Sequence, residues 1–121
     1  MTTLDIGHWG EDMACEYLSE HNLTIITRNY HSRYGEIDII AKDKDCIVFV
    51  EVKTRKSSLY GLACEYVTAK KQEKIINTAR CYLGECYECE IRFDVIEIYY
   101  TDMHNNKKIK KINHIKNAFI S

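Results

Sequence analysis

Gly35–Lys53 reads GEIDIIAKDKDCIVFVEVK: two apolar runs, a short polar turn between them, and charged residues set inside both runs. Taken as strands, Glu36–Ala41 and Ile47–Lys53 turn alternate side chains to opposite faces. One face collects Ile37, Ile39 and Ala41 with Val48, Val50 and Val52, a clean core face. The other collects Glu36, Asp38 and Ile40 with Ile47, Phe49, Glu51 and Lys53. A hairpin turning at Lys44-Asp45 sets Asp38 directly opposite Glu51. Two facing carboxylates repel. A divalent cation between them, with Lys53 two residues further on the same face, removes the conflict. The plain alternative is an internal ion pair of Lys53 with Glu51 or Asp38 on a solvated sheet edge.

The flanking sequence supplies the rest of the architecture. From Thr3 to about Asn22, Leu4, Ile6, Trp9, Met13, Ala14, Tyr17 and Leu18 recur at helical spacing, with His21-Asn22 as the stop. Leu23–Tyr30 is rich in β-branched residues and predicts a first strand, followed by a turn at His31–Gly35. After Lys53 the pattern breaks, and Thr54–Cys64 predicts a loop of about ten residues, long enough to work. Thr68 is placed to cap a helix over Ala69–Leu83 that ends at Gly84. On it Ile75, Ile76, Ala79, Tyr82 and Leu83 form the apolar face, with Lys70, Lys71 and Lys74 toward other sides. Glu90–Tyr100 alternates as a fourth strand, with Asp94 as a polar residue of the core strand. After His104-Asn105-Asn106, Lys107–Ile115 gives a last strand or extended arm. The order is αβββαβ plus a terminal strand. A helix between strands three and four suits parallel pairing. The expected class is α/β, or α+β with a mixed sheet, as one domain over residues 1–121.

Composition bounds the function. The chain of 121 residues is 45% hydrophobic, has a net charge of −1, and contains no run long enough to span a bilayer. Its first residues, MTTLDIGHWGED, lack the basic-then-apolar order of a signal peptide, so a cytoplasmic protein is expected. Bulk charge does not advertise a nucleic-acid binder, but basic clusters at Lys53–Lys56, Lys70-Lys71 with Lys74, and Lys107–Lys111 can bind phosphates locally. Six cysteines in such a chain read as reduced thiols. Cys86-Tyr-Glu-Cys89 is a lone CxxC that no second closely spaced pair completes as a zinc site.

Asp38, Glu51 and Lys53 have the spacing D-x(12)-E-x-K within a hairpin flanked by helices, the pattern of the PD-(D/E)xK nucleases. Further motifs narrow the likeness. GHWGEDMACEYL, RNYHSRYGEIDII, FVEVKTR, VTAKKQEKI, RFDVIEI and HIKNAF run in order along nearly the whole chain and resemble the YraN family of small bacterial proteins. That family is assigned to the restriction endonuclease-like αβββαβ fold and is similar to the archaeal Holliday-junction resolvases. Ile37, not proline, precedes Asp38, as is usual for this branch. The resemblance implies that Asp38 and Glu51 hold magnesium or manganese together with the backbone carbonyl of Val52. It implies that Lys53 orients or helps deprotonate the attacking water, and that Glu11 completes the site through a water or a second ion. Glu36 matches the family without an assigned role. The implied activity is a metal-dependent endonuclease on DNA, acting at branched or structured DNA. The alternative is a non-catalytic nucleic-acid-binding module in recombination, repair or DNA uptake. Lys70 and Lys71, at a helix N-terminus, are candidates for phosphate contact. Cutting two opposed strands implies a homodimer, with the last strand and the apolar side of Leu59–Leu62 as candidate surfaces.

Overall fold

The computed structural model describes residues 2–60, 67–86 and 88–120, without the side chains of Thr3 and Leu4. The expected part of Leu4 in the helix stripe, Cys64, and most of the 59–62 segment lie outside them. The described elements are α1 (Thr3–Glu20), β1 (Thr24–Ser32), β2 (Gly35–Asp43), β3 (Cys46–Lys56), a 3-10 turn (Ser57–Leu59), α2 (Ala69–Leu83), β4 (Glu90–Met103) and β5 (Asn106–Phe119). The strands form one mixed sheet in the order β1-β2-β3-β4-β5. Only β3 and β4 pair in parallel, across α2. This is the αβββαβ order with an added C-terminal strand.

Local chemistry sets the ends. Thr2 caps α1 in a capping box with Asp5. The helix stops at His21, and Asn22 takes a left-handed φ of 68° that asparagine tolerates. Thr68 accepts the Lys71 N–H and opens α2, and Gly84 closes it with φ 60°. Lys44-Asp45 turns the β2–β3 hairpin beyond the Asp43–Cys46 pair. His104 and Asn105, both with positive φ, make the tight turn between β4 and β5.

Each face of the sheet has its own core. Ala14 and Leu18 of α1 pack with Ile39, Ala41, Val48, Val50, Ile96 and Ile98. Ile75 and Ala79 of α2 pack with Ile37, Ile40, Phe49, Phe93 and Val95. Gly10 lets α1 approach β3: a methyl group there would overlap the Thr54 hydroxyl. No helix among the described residues is long and apolar enough to cross a membrane.

Four expectations need correction. Ile37 does not share a face with Ile39; it joins the α2 core while Ile39 joins the α1 core. The alternation slips at Asp38, opposite Asn29, whose φ of 54° breaks the regular extension of β1. The third strand runs on to Lys56 rather than ending at Lys53, because it has a parallel partner in β4 as far as Tyr100. Lys71 is not turned away from the sheet. It lies one turn before Ile75 on the sheet-facing stripe of α2. Finally, Cys86 and Cys89 are not free thiols but are joined by a disulfide after α2, with Cα atoms 5.9 Å apart.

Candidate metal centre

The hairpin register is the one the turn dictates. Asp43–Cys46, Ala41–Val48 and Ile39–Val50 are partners, and the ladder ends there, one step before Asp38 and Glu51. Past that point the Asp38 carboxylate takes over, accepting the Val52 N–H at 2.8 Å. A cleft of about 270 Å³ opens at this place, lined by Glu11, Asp38, Glu51, Val52, Lys53 and Thr54 beneath Ile6 and Gly7 of α1. Three elements thus bring together Glu11, Asp38, Glu51 and Lys53, the four residues singled out in the sequence, and Val52 with them.

Carboxylates crowd this cleft. Oxygens of Glu11, Glu36 and Asp38 lie within 4.8 Å of one another. Glu51, on the other side of Asp38, is 8% exposed. Burial first, and then the charge of Asp38, push the Glu51 carboxyl up to about 7, against the pull of Lys71 and Lys53. Burial and Asp38 likewise raise the Glu11 carboxyl, against Arg28. Protonation is one relief for such a cluster. A hard divalent cation is the other, and it suits an all-oxygen donor set. The residues therefore fit magnesium or manganese. Glu11, Asp38 and Glu51 are the carboxylates placed to hold it.

Residues not singled out in the sequence steady this group. Lys71 Nζ stands 3.8 Å from Glu51 Oε1. Arg28 lies 2.8 Å from Asp12 and 3.7 Å from Glu11. His31 lies 3.6 Å from Glu36. With its amide nitrogen turned to the carboxylates, Asn29 donates to Glu36 at 2.9 Å and to Glu11 at 3.3 Å; the reverse orientation would set oxygen against oxygen. Lys71 was findable from helix phase, because it precedes Ile75 by four. Asn29 carries a weaker signal, an asparagine inside a run of β-formers. Lys70 is exposed at the start of α2, outside the cleft.

Asp94 lies apart from this centre. It accepts two bonds from Arg92 (2.8 and 2.9 Å), one from the Asn117 N–H (2.9 Å), and its Oδ2 lies 2.7 Å from His114 Nε2. Arg92 reaches Asp43 as well, at 3.1 Å. Every partner is internal, so this network is a structural clamp between β4 and β5.

Comparison with known proteins follows the same residues. The model of a family described as uncharacterised protein family UPF0102 matches residues 10–98, which include all four cleft residues. A UPF0102 protein of Clostridium botulinum (strain Hall) is 45% identical over 121 residues, covering 95% of this chain and 94% of its own. One from Clostridioides difficile (strain 630) is 44% identical over 121 residues, covering 98% and 100%.

Proposed function

The chain belongs to the UPF0102 family, and from that premise we propose that it is a metal-dependent endonuclease of the PD-(D/E)xK type, hydrolysing phosphodiester bonds of branched or otherwise structured DNA. The observation that carries this reading is the convergence of Glu11, Asp38, Glu51 and Lys53 on one open cleft. The sequence resemblance to the YraN family and the archaeal resolvases supports it from a separate side.

Magnesium or manganese, when bound, would supply Lewis-acid stabilisation of the charge that develops on the phosphoryl oxygens. Asp38, Glu51 and Glu11 would hold the ion, and the Val52 carbonyl stands beside them. Asp38 is fixed for this by the Val52 N–H. Lys53, two residues beyond Glu51 on the same strand, would orient the attacking water and stabilise negative charge in the transition state. Lys71 tempers the Glu51 charge and lies near enough to meet a substrate phosphate. Paired cuts on opposed strands would require two copies of the chain.

The test is cleavage of labelled four-way junction, flap, single-stranded and linear duplex DNA with magnesium or manganese. Wild type is run beside Asp38→Ala and Lys53→Ala. Metal-dependent cutting abolished by both substitutions is the expected result. Tight binding without cutting under either metal would replace this reading with a non-catalytic DNA-binding module.

A further inference from the structure

The cleft does not end at the carboxylates. Ile6 of α1 lines both this cleft and a second, larger concavity of about 520 Å³. The second is walled by Lys56, Ser57 and Ser58 on one side and by Tyr100, Thr101, Asp102 and Met103 on the other. Strand β3 connects the two. It carries Glu51 and Lys53 in the first and reaches Lys56 in the second, a run of about 10 Å at strand rise.

The two regions differ in chemistry. The first is carboxylate-rich. The second has an apolar floor with a polar rim. Met103 is 67% exposed at the end of β4, an unusual place for a large apolar side chain to face water. Tyr100 is backed by Trp9, whose ring lies edge-on at 5.6 Å, and Lys107 Nζ sits 5.5 Å from the Trp9 centroid. The floor is therefore braced rather than collapsible. Lys56 and the hydroxyls of Ser57 and Ser58 offer a cation and donors on the rim. Asp102 is the one acid, and its partner across the β4–β5 ladder is Lys107.

A polymer that continues from a phosphate in the first region would need both features: phosphates for the rim and apolar faces for the floor. Paired DNA turns only its charged backbone and base edges outward. Unpaired nucleotides expose flat apolar faces along with their phosphates, which is what single-strand grooves exploit. We propose that the groove formed by Ile6, Lys56, Ser57, Ser58, Tyr100 and Met103 holds an unpaired stretch of nucleic acid, continuous with the strand whose phosphate lies at Glu11, Asp38 and Glu51. The continuity rests on the nuclease reading above; the single-strand preference of the groove does not. The preferred substrates are then those with a single-stranded arm beside the cut, not uninterrupted duplex.

The experiment is a fluorescence-anisotropy titration in calcium. It compares a blunt duplex with the same duplex bearing an unpaired arm of about six nucleotides, within the usual span of a single-strand groove. The proteins are wild type, Met103→Ser and Lys56→Gln, all at exposed positions and checked for unchanged melting. The arm should raise wild-type affinity about tenfold. Met103→Ser should lose most of that gain, and Lys56→Gln should reduce the salt dependence of the arm's contribution by about 0.7 in log–log slope. Blunt-duplex binding should stay within about twofold, as a groove specific for unpaired bases requires. An arm that adds nothing, or a gain that both variants keep, overturns the groove. Calorimetry of manganese binding to wild type and Asp38→Ala tests the metal centre separately. Its failure would sink the nuclease reading while leaving an arm-dependent gain assigned to the groove.

Discussion

The Asp38 carboxylate accepts the Val52 N–H at 2.8 Å, so the side chain at the middle of the acidic cleft also ties β2 to β3 beyond their last ladder pair. Asn can keep that bond through its amide oxygen; Ala cannot. In chelator, Asp38→Asn should be more stable than Asp38→Ala by about 1–2 kcal/mol, the cost of leaving a part-buried N–H unpaired. Both should lose manganese binding. Equal urea midpoints for the two would show that the bond contributes nothing.

Glu51 gives the metal-free protein a distinctive pH response. Burial and Asp38 raise its carboxyl to about 7 in the fold, from an ordinary value of 4.5. Between those values the folded protein keeps a proton that the unfolded chain has released. Stability should therefore fall as pH rises through about 4.5 to 7. Urea midpoints in chelator should show the decline, and Glu51→Gln should flatten it. Manganese should raise the midpoint more at about pH 7.5 than at pH 5, since the ligands must be ionised. A midpoint that rises with pH across this window would contradict the assignment.

Asp94 predicts the opposite sign. Burial would raise its carboxyl, but His114, Arg92 and the Asn117 N–H overcome that and hold it below the ordinary 3.8. The stability it contributes is present above that value and is lost as pH falls through its folded pKa. Asp94→Asn should cost about 3 kcal/mol, because Arg92 and His114 lose the charge they surround. The loss should appear at pH 7 and shrink in acid. A substitution neutral at pH 7 would reduce the network to an incidental contact.

Gly10 tests how closely α1 must sit on the site. Gly10→Ala gains about 1 kcal/mol in helix propensity but sets a methyl against the Thr54 hydroxyl. Overpacking of this kind costs about 1–3 kcal/mol, so the single variant should melt lower. Adding Thr54→Ala should recover the loss, a coupling that a double-mutant cycle measures. A single variant that melts higher would mean the helix is free to shift.

Much of this was legible in the sequence because it rests on short-range rules. Lys44-Asp45 and His104-Asn105 announce their turns, Thr68 and Gly84 bound α2, and the turn fixes the register that brings Asp38 toward Glu51. What was hidden depends on tertiary partners. Strict alternation assigns Ile37 to the wrong core, because the slip at Asp38 needs the left-handed Asn29 on a neighbouring strand. Thr54–Lys56 looks like loop by composition and becomes strand only because β4 lies alongside. Lys71 looks like a surface lysine until α2 is docked and Glu51 appears beneath it. The cleft residues themselves were readable because carboxylates inside apolar strands conflict with the local pattern, and such conflicts concentrate where a protein does its chemistry.

The parallel pairing of β3 with β4 also sets an order in time. Asp38 and the strand bearing Glu51 meet in a tight hairpin, a contact that forms in microseconds. The β3–β4 partners, from Cys46–Glu90 to Lys56–Tyr100, are about forty residues apart in sequence, and such closures come late in folding. Glu51 stays hydrated until then and is desolvated only when β4 and α2 close over it. The electrostatic cost of the acidic cluster therefore falls on the last stage of assembly, after the surrounding framework has formed.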